Sequence, residues 1–155
     1  MGRMYVAEFE NVSVSVLMDF FELTPAANKP FKLHACYLSQ VTDVGDTNEE
    51  MLRVTIVRGN TTAGSGGSTQ VPTPLDSNDA ACGDTTLAMN NTVEASAGTE
   101  VDCHSETFNI RTGWVYMPTP EMRIRVQNSE LLCVRLLVAP GSAILMSGTI
   151  VFEEI

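Results

Sequence analysis

The residue types with the most reach into catalysis are two histidines, His34 and His104, and four cysteines at positions 36, 82, 103 and 133. His104 directly follows Cys103, which sets a base beside a nucleophile. Neighbours along a strand point to opposite faces, so this pair is badly placed to share a catalytic hydrogen bond. His34 falls in a strand-like run and reads as a histidine satisfied by its fold. The cysteine gaps contain no C-x-x-C and no zinc-ligand spacing. Cys36 and Cys133 sit in apolar runs, where a free thiol behaves as a small hydrophobe. Reduced structural thiols are expected, with a Cys82–Cys103 bridge as the open alternative.

Other chemistries are equally thin. Gly64, Gly66 and Gly67 make a flexible stretch, but no Gly-Lys-Ser/Thr follows. Ser65 and Ser68 complete no Gly-x-Ser-x-Gly elbow. Asp76, Asp79 and Asp84 are loop acids of the kind calcium takes, yet the EF-hand pattern is absent. No catalytic residue, no cofactor and no metal site is expected. Trp114, Tyr116 and Met117 gather just before Pro118. Such a cluster either caps the core or anchors a sugar or a protein surface.

The elements that must carry these residues show a period of two. Val12, Val14 and Val16 alternate with serines; Phe31, Leu33, Ala35 and Tyr37 with Lys32, His34, Cys36 and Leu38. Leu52, Val54 and Ile56 alternate with Met51, Arg53, Thr55 and Val57. Leu132, Val134, Leu136 and Val138 alternate with Leu131, Cys133, Arg135 and Leu137. Strands are expected near 4–9, 12–16, 18–23, 30–40, 51–58, 84–95 (broken), 104–110, 122–127, 131–138 and 144–153. The stretch 17–23 reads equally well as a short helix. Asp43 to Asn48 is a polar turn, Pro118-Thr119-Pro120 breaks any strand, and Pro140-Gly141 marks another turn.

The reading is one all-β domain over 1–155, an antiparallel β-sandwich, with a long irregular loop at about 59–83 lying over one end or face. A jelly roll fits this size best; an immunoglobulin-like sandwich is the alternative, although the one Trp114 is not framed by cysteines in the Cys…Trp…Cys manner.

Charge narrows the partners. The net charge is −10, from 9 basic and 19 acidic residues, which argues against a nucleic-acid backbone or an anionic membrane. Residues 61–107 hold seven acids and no Lys or Arg, a solvated set of loops or a dock for a basic partner. The N-terminal stretch carries Glu8 and Glu10 before a run interleaved with serine, unlike a signal peptide. Val6 stands where a myristoylation motif wants Ser or Thr, and no 18-residue apolar span exists.

Several strands look apolar on both faces. Leu131, Cys133 and Leu137 lie behind one, with Arg135 among them; His34, Cys36 and Leu38 behind another; Val57 with Arg53 behind a third. Outer faces this apolar are covered by the chain's own loops or by a neighbouring subunit. In the second case Arg53 and Arg135 would pair with carboxylates across the contact. The candidate subunit or partner interface is therefore His34, Leu38, Arg53, Val57, Trp114, Tyr116, Leu131, Arg135 and Leu137.

The run ETFNIRTGWVYMPTPEMRIRV, then LLCVRLLVAP and the ending SGTIVFEE, resemble small structural proteins of tailed bacteriophages. The stretch LHACYLSQVTDVGDTNEEMLRVTIVRG followed by a GSGGS loop is similar to them too. The family in view is the head-decoration or cement proteins. The resemblance implies a jelly-roll or related sandwich on the capsid exterior. It implies a major capsid protein as partner and a homo-oligomer, a trimer ahead of a dimer, assembled in bacterial cytoplasm without nucleic-acid or membrane binding. No functional residues carry over, because that role rests on surfaces. The competing expectation is a phage tail receptor-binding or carbohydrate-binding sandwich using Trp114 and Tyr116.

Overall fold

A computed structural model describes residues 2–41, 49–84 and 86–155. The expected turn at Asp43–Asn48 lies outside them. The described residues form two antiparallel sheets and one short 3-10 turn, Pro120–Met122. The strands are β1 (Arg3–Val14), β2 (Met18–Leu23), β3 (Phe31–Gln40), β4 (Met51–Asn60), β5 (Ser68–Gln70), β6 (Thr73–Pro74), β7 (Leu87–Asn91), β8 (Val101–Asn109), β9 (Trp114–Tyr116), β10 (Arg125–Val126), β11 (Leu131–Leu136) and β12 (Ile144–Glu154). One sheet runs β10-β3-β12-β1-β6, with β9 also on β3; the other runs β5-β7-β2-β11-β4-β8.

Strands β1 to β4 alternate between the sheets as the chain proceeds, and the long strands pair from the outside in. β1 pairs β12, β2 pairs β11, β3 pairs β9 and β10, and β4 pairs β8. This nested ladder is compatible with the jelly roll expected from the sequence. It departs from the ABED and CFG order of an immunoglobulin sandwich.

Between the sheets lies one continuous apolar core. Phe9 on β1 stacks on Phe20 and Phe21 of β2 at 6.0 and 5.3 Å, which ties one sheet to the other. Tyr5 and Phe31 pack on Phe152 at 5.9 and 4.7 Å. Tilted and offset ring pairs of this spacing add to the area they bury.

Bulges decide which residues reach that core. A β-bulge inserts one residue, so every side chain beyond it switches face. On β1 the register slips between Phe9 and Val12, at Asn11 with φ 53°, and fuses the two expected strands 4–9 and 12–16 into one. On β2 the slip falls at Phe20, so Met18, Phe20, Phe21 and Leu23 all enter the core while Asp19 and Glu22 share the outer face. On β3 it falls at His34, so Phe31 and Leu33 before it, and Cys36 and Leu38 after it, all point inward. The expectation that Cys36 and Leu38 line an outer face is corrected by this slip.

The expected irregular loop at 59–83 also needs correction. It contains β5 and β6, and 61–67 pairs with 92–97 through bridges at Thr62–Ser96 and Ser65–Val93. The pair forms a two-stranded ribbon that folds back over the outer face of the second sheet. The expected strand 122–127 is shorter: Met122 ends the 3-10 turn, and only Arg125–Val126 forms a strand on β3.

Candidate interaction surface

The ribbon answers the question of the apolar outer face. Val57, Leu131 and Cys133 are buried beneath it and form a second apolar cluster with Ala95 of the ribbon itself. Polar contacts pin it there. The Arg135 guanidinium donates to Asp19 from Nε (2.7 Å) and Nη2 (3.2 Å), to Glu100 from Nη1 (2.6 Å) and to the Ala95 carbonyl (3.0 Å). Asp19 in turn accepts the Ala95 N–H at 2.8 Å, and Glu22 accepts the Gly64 N–H at 2.9 Å. A Cβ on Gly64 would run into the Val93 carbonyl across the ribbon, so the two ribbon strands approach as closely as glycine allows.

The sequence expectation for Arg135 is therefore half corrected. It is desolvated and paired with carboxylates, but those carboxylates belong to its own chain. Val57, Leu131 and Leu38 are likewise spent inside the chain, and no partner reaches them without displacing the ribbon or the core. Burial pushes the Glu22 carboxyl above the ordinary carboxylate range, and the neighbouring Asp19 pushes it the same way.

Arg53 and Leu137 do stand at the surface, on the part of the second sheet that the ribbon leaves open. They share a shallow recess with Ser105, Glu106 and Thr107 of β8. His34 is half-buried, with its Nε2 3.0 Å from Glu153, and this bond holds the Glu153 carboxyl below its usual range.

Trp114 and Tyr116 are 3% and 8% exposed, so neither ring face is offered for stacking on a sugar. They close the gap between β9 and β8. Glu106 accepts the Trp114 indole N–H at 2.8 Å and lies 3.0 Å from His104 Nε2. The His104 ring packs on Tyr116 at 4.8 Å. These bonds hold the Glu106 carboxyl below its usual range, the His104 contact contributing most.

The next apolar residues along the chain are the exposed ones. Val115, Met117 and Met122 are 58%, 68% and 70% exposed. With Tyr116, Pro118, Cys103, His104 and Glu106 they line one shallow recess beside β8. Cys103 and His104 both reach it because the register slips at Cys103, an irregularity that face alternation alone does not foresee. The Cys103 thiol is pushed up by burial, the opposite of what a nucleophile needs. Cys82 and Cys103 are both free thiols. Asp76 ties its own turn at Asn78, Asp79 faces Arg3, and Asp84 accepts the Thr24 and Thr86 N–H groups. Among the described residues no group of three His, Cys, Asp or Glu side chains is placed to hold a metal ion.

Comparison with known proteins adds little to this geometry. No family model and no curated protein matches the chain. Against the crystal structure of the infectious bursal disease virus VP2 subviral particle it has 14% identity and a TM-score of 0.20. That alignment covers 99% of this chain and 42% of that one, and the likeness is too weak to carry an argument. The sequence singled out Met117 in a cluster with Trp114 and Tyr116, but not Val115 and Met122, which complete the exposed surface. The signal lay in their spacing, which puts Val115 on the opposite side of β9 from buried Trp114 and Tyr116.

Proposed function

We propose that this β-sandwich is a structural contact module of a virion, a decoration or cement protein that sits on the outside of a capsid shell and stabilises it. The observation that carries the reading is the recess beside β8, where Val115, Met117 and Met122 remain mostly exposed. Clustered exposed apolar side chains of this kind mark protein-contact surfaces. The sequence resemblance to phage head-decoration proteins gives the partner, a major capsid protein, and the location. A low charged fraction of 18% fits a surface that neighbouring chains cover in part. Cementing rests on several modest contacts made at once, so no single deep site is needed.

The reading is tested by measuring the mass of the protein in solution and imaging native particles by electron microscopy. It expects a homo-oligomer, a trimer ahead of a dimer, and density for the protein on the capsid exterior. A chain that stays monomeric at high concentration and is missing from particles overturns it. The carbohydrate-binding alternative loses its stated residues, because Trp114 and Tyr116 are covered.

A further inference from the structure

We propose that two copies of this chain pair through the outer face of the first sheet, each setting a basic corner against an acidic corner of the other. This specifies the homo-oligomer in the reading above and rests on that part of it.

The ribbon covers the outer face of the second sheet. The first sheet keeps Met4, Val6, Tyr37 and Val151 partly exposed on its own outer face. Residues directly opposite in a ladder share a face, so the register lays this face out. One row across it runs Arg125, Lys32, Glu153 and Met4. A parallel row runs Val115, Tyr37, Thr149 and Glu8. Arg123 joins Arg125, because Ile124 and Val126 turn to the core. Glu10 joins Glu8, because Phe9 between them turns to the core. The basic corner on β10 and β3 and the acidic corner on β1 therefore lie diagonally apart.

These charges are uncommitted. Among the described residues Arg123, Arg125, Glu8 and Glu10 form no ion pair. Lys32 lies 3.8 Å from Glu153, but that carboxylate also meets His34 Nε2 at 3.0 Å and accepts the Gly2 N–H at 2.9 Å. Arg125 stands directly opposite Lys32, and like charges so placed destabilise a ladder. Packing holds Arg123, whose Nε is buried with no acceptor. Arginines left unpaired in a chain of net charge −10 point to carboxylates arriving from outside the fold.

The same face supplies those carboxylates. Met4, Val151 and Tyr37 run along its other diagonal. A two-fold axis on that line carries each basic corner over Glu8 and Glu10 of the second copy, and brings the less polar side chains together at the centre. Such a contact satisfies both corners at once. A partner carrying charge of one sign satisfies only one of them, so the arrangement selects a second copy.

Sedimentation in the analytical ultracentrifuge reads the association. The natural protein is expected to be a dimer that loosens as salt rises. The double reversals Glu8→Lys with Glu10→Lys, and Arg123→Glu with Arg125→Glu, should each weaken dimerisation about tenfold or more, with circular dichroism confirming that both fold. An equimolar mixture of the two should regain a one-to-one dimer, since opposite charges then meet at both corners. A natural protein that stays monomeric at high concentration overturns the proposal. So does an oligomer that both reversals leave unchanged, or a mixture that regains no association; density on capsids would stand in each case. A dimer that obeys the swaps but is missing from particles defeats the capsid reading instead.

Discussion

Arg135 and Asp19 meet in a two-pronged ion pair, 2.7 and 3.2 Å, on the outer face of a sheet and out of reach of solvent. The geometry depends on the slip at Phe20 in β2, which places Asp19 directly opposite Arg135 on β11. The pair exists because the ribbon covers it, and the ribbon stays because the pair binds Ala95. Removing Asp19 leaves the buried guanidinium with only the more exposed Glu100 and Glu94 as counter-charges, and breaking a buried pair costs about 3–5 kcal/mol. Asp19→Ala is therefore expected to lower the urea midpoint strongly. The double variant Asp19→Leu with Arg135→Met should cost less than the sum of the two single changes, since it strands no charge. Equilibrium denaturation of all four proteins closes the cycle.

Glu22 gives this face a pH dependence. Its folded carboxyl titrates above the unfolded value of 4.5, chiefly because it is buried. The stabilising contribution of its protonated form is complete below that unfolded value and is lost as pH rises through the folded one. Glu22→Gln imitates the protonated group and keeps an oxygen for the Gly64 N–H. Stability of the natural protein should thus fall relative to Glu22→Gln as pH climbs from about 4.5 toward neutrality. Parallel curves from thermal melts across that window would remove the assignment.

Glu106 works with the opposite sign. Bonds from His104 and Trp114 hold its carboxyl below 4.5, so its contribution is present above that value and disappears as pH falls through the lowered one. Glu106→Ala should red-shift Trp114 emission and cost about 1 kcal/mol by leaving the indole N–H without its acceptor. An unchanged spectrum would mean that the indole does not depend on this carboxylate.

The four thiols should separate by accessibility. Burial pushes Cys36 and Cys133 up strongly and Cys82 up to about 12, while Cys103 is only half-buried. An alkylating reagent at neutral pH is expected to label Cys103 first and slowly, and all four together once denaturant is added. Mass mapping of the labelled sites reads the order directly. Rapid labelling of Cys133 would show that the ribbon opens in the native protein.

Strand positions were the most legible part of the chain. Runs such as Leu52-Val54-Ile56 and Leu132-Val134-Leu136 alternate over enough residues to fix both element and inward face. Alternation fails where a residue is inserted. His34, Phe20 and Cys103 each break the count, and nothing in their identity announces it. The apolar second face around Leu131 and Cys133 was visible too, with the chain's own loops as one of two expected covers, but the part that 92–97 plays in that cover was not. That cover is made by Ala95 and by short-range glycine geometry at Gly64, in segments too poor in hydrophobes to show a period. The aromatic pair Trp114 and Tyr116 was legible as a cluster, yet only the register of β9 on β3 shows that Val115 faces out while they face in.

The pairing of β1 with β12 also sets an order of assembly. Arg3 lies opposite Glu154, so two positions far apart in sequence are neighbours in one ladder. During synthesis β1 waits, apolar side bare, until β12 has been made. Proteins dominated by such remote pairings fold slowly, in milliseconds to seconds. During that wait unpaired β1 is open to chaperones or to aggregation, and loss of β12 should be far more damaging than its small share of the residues suggests.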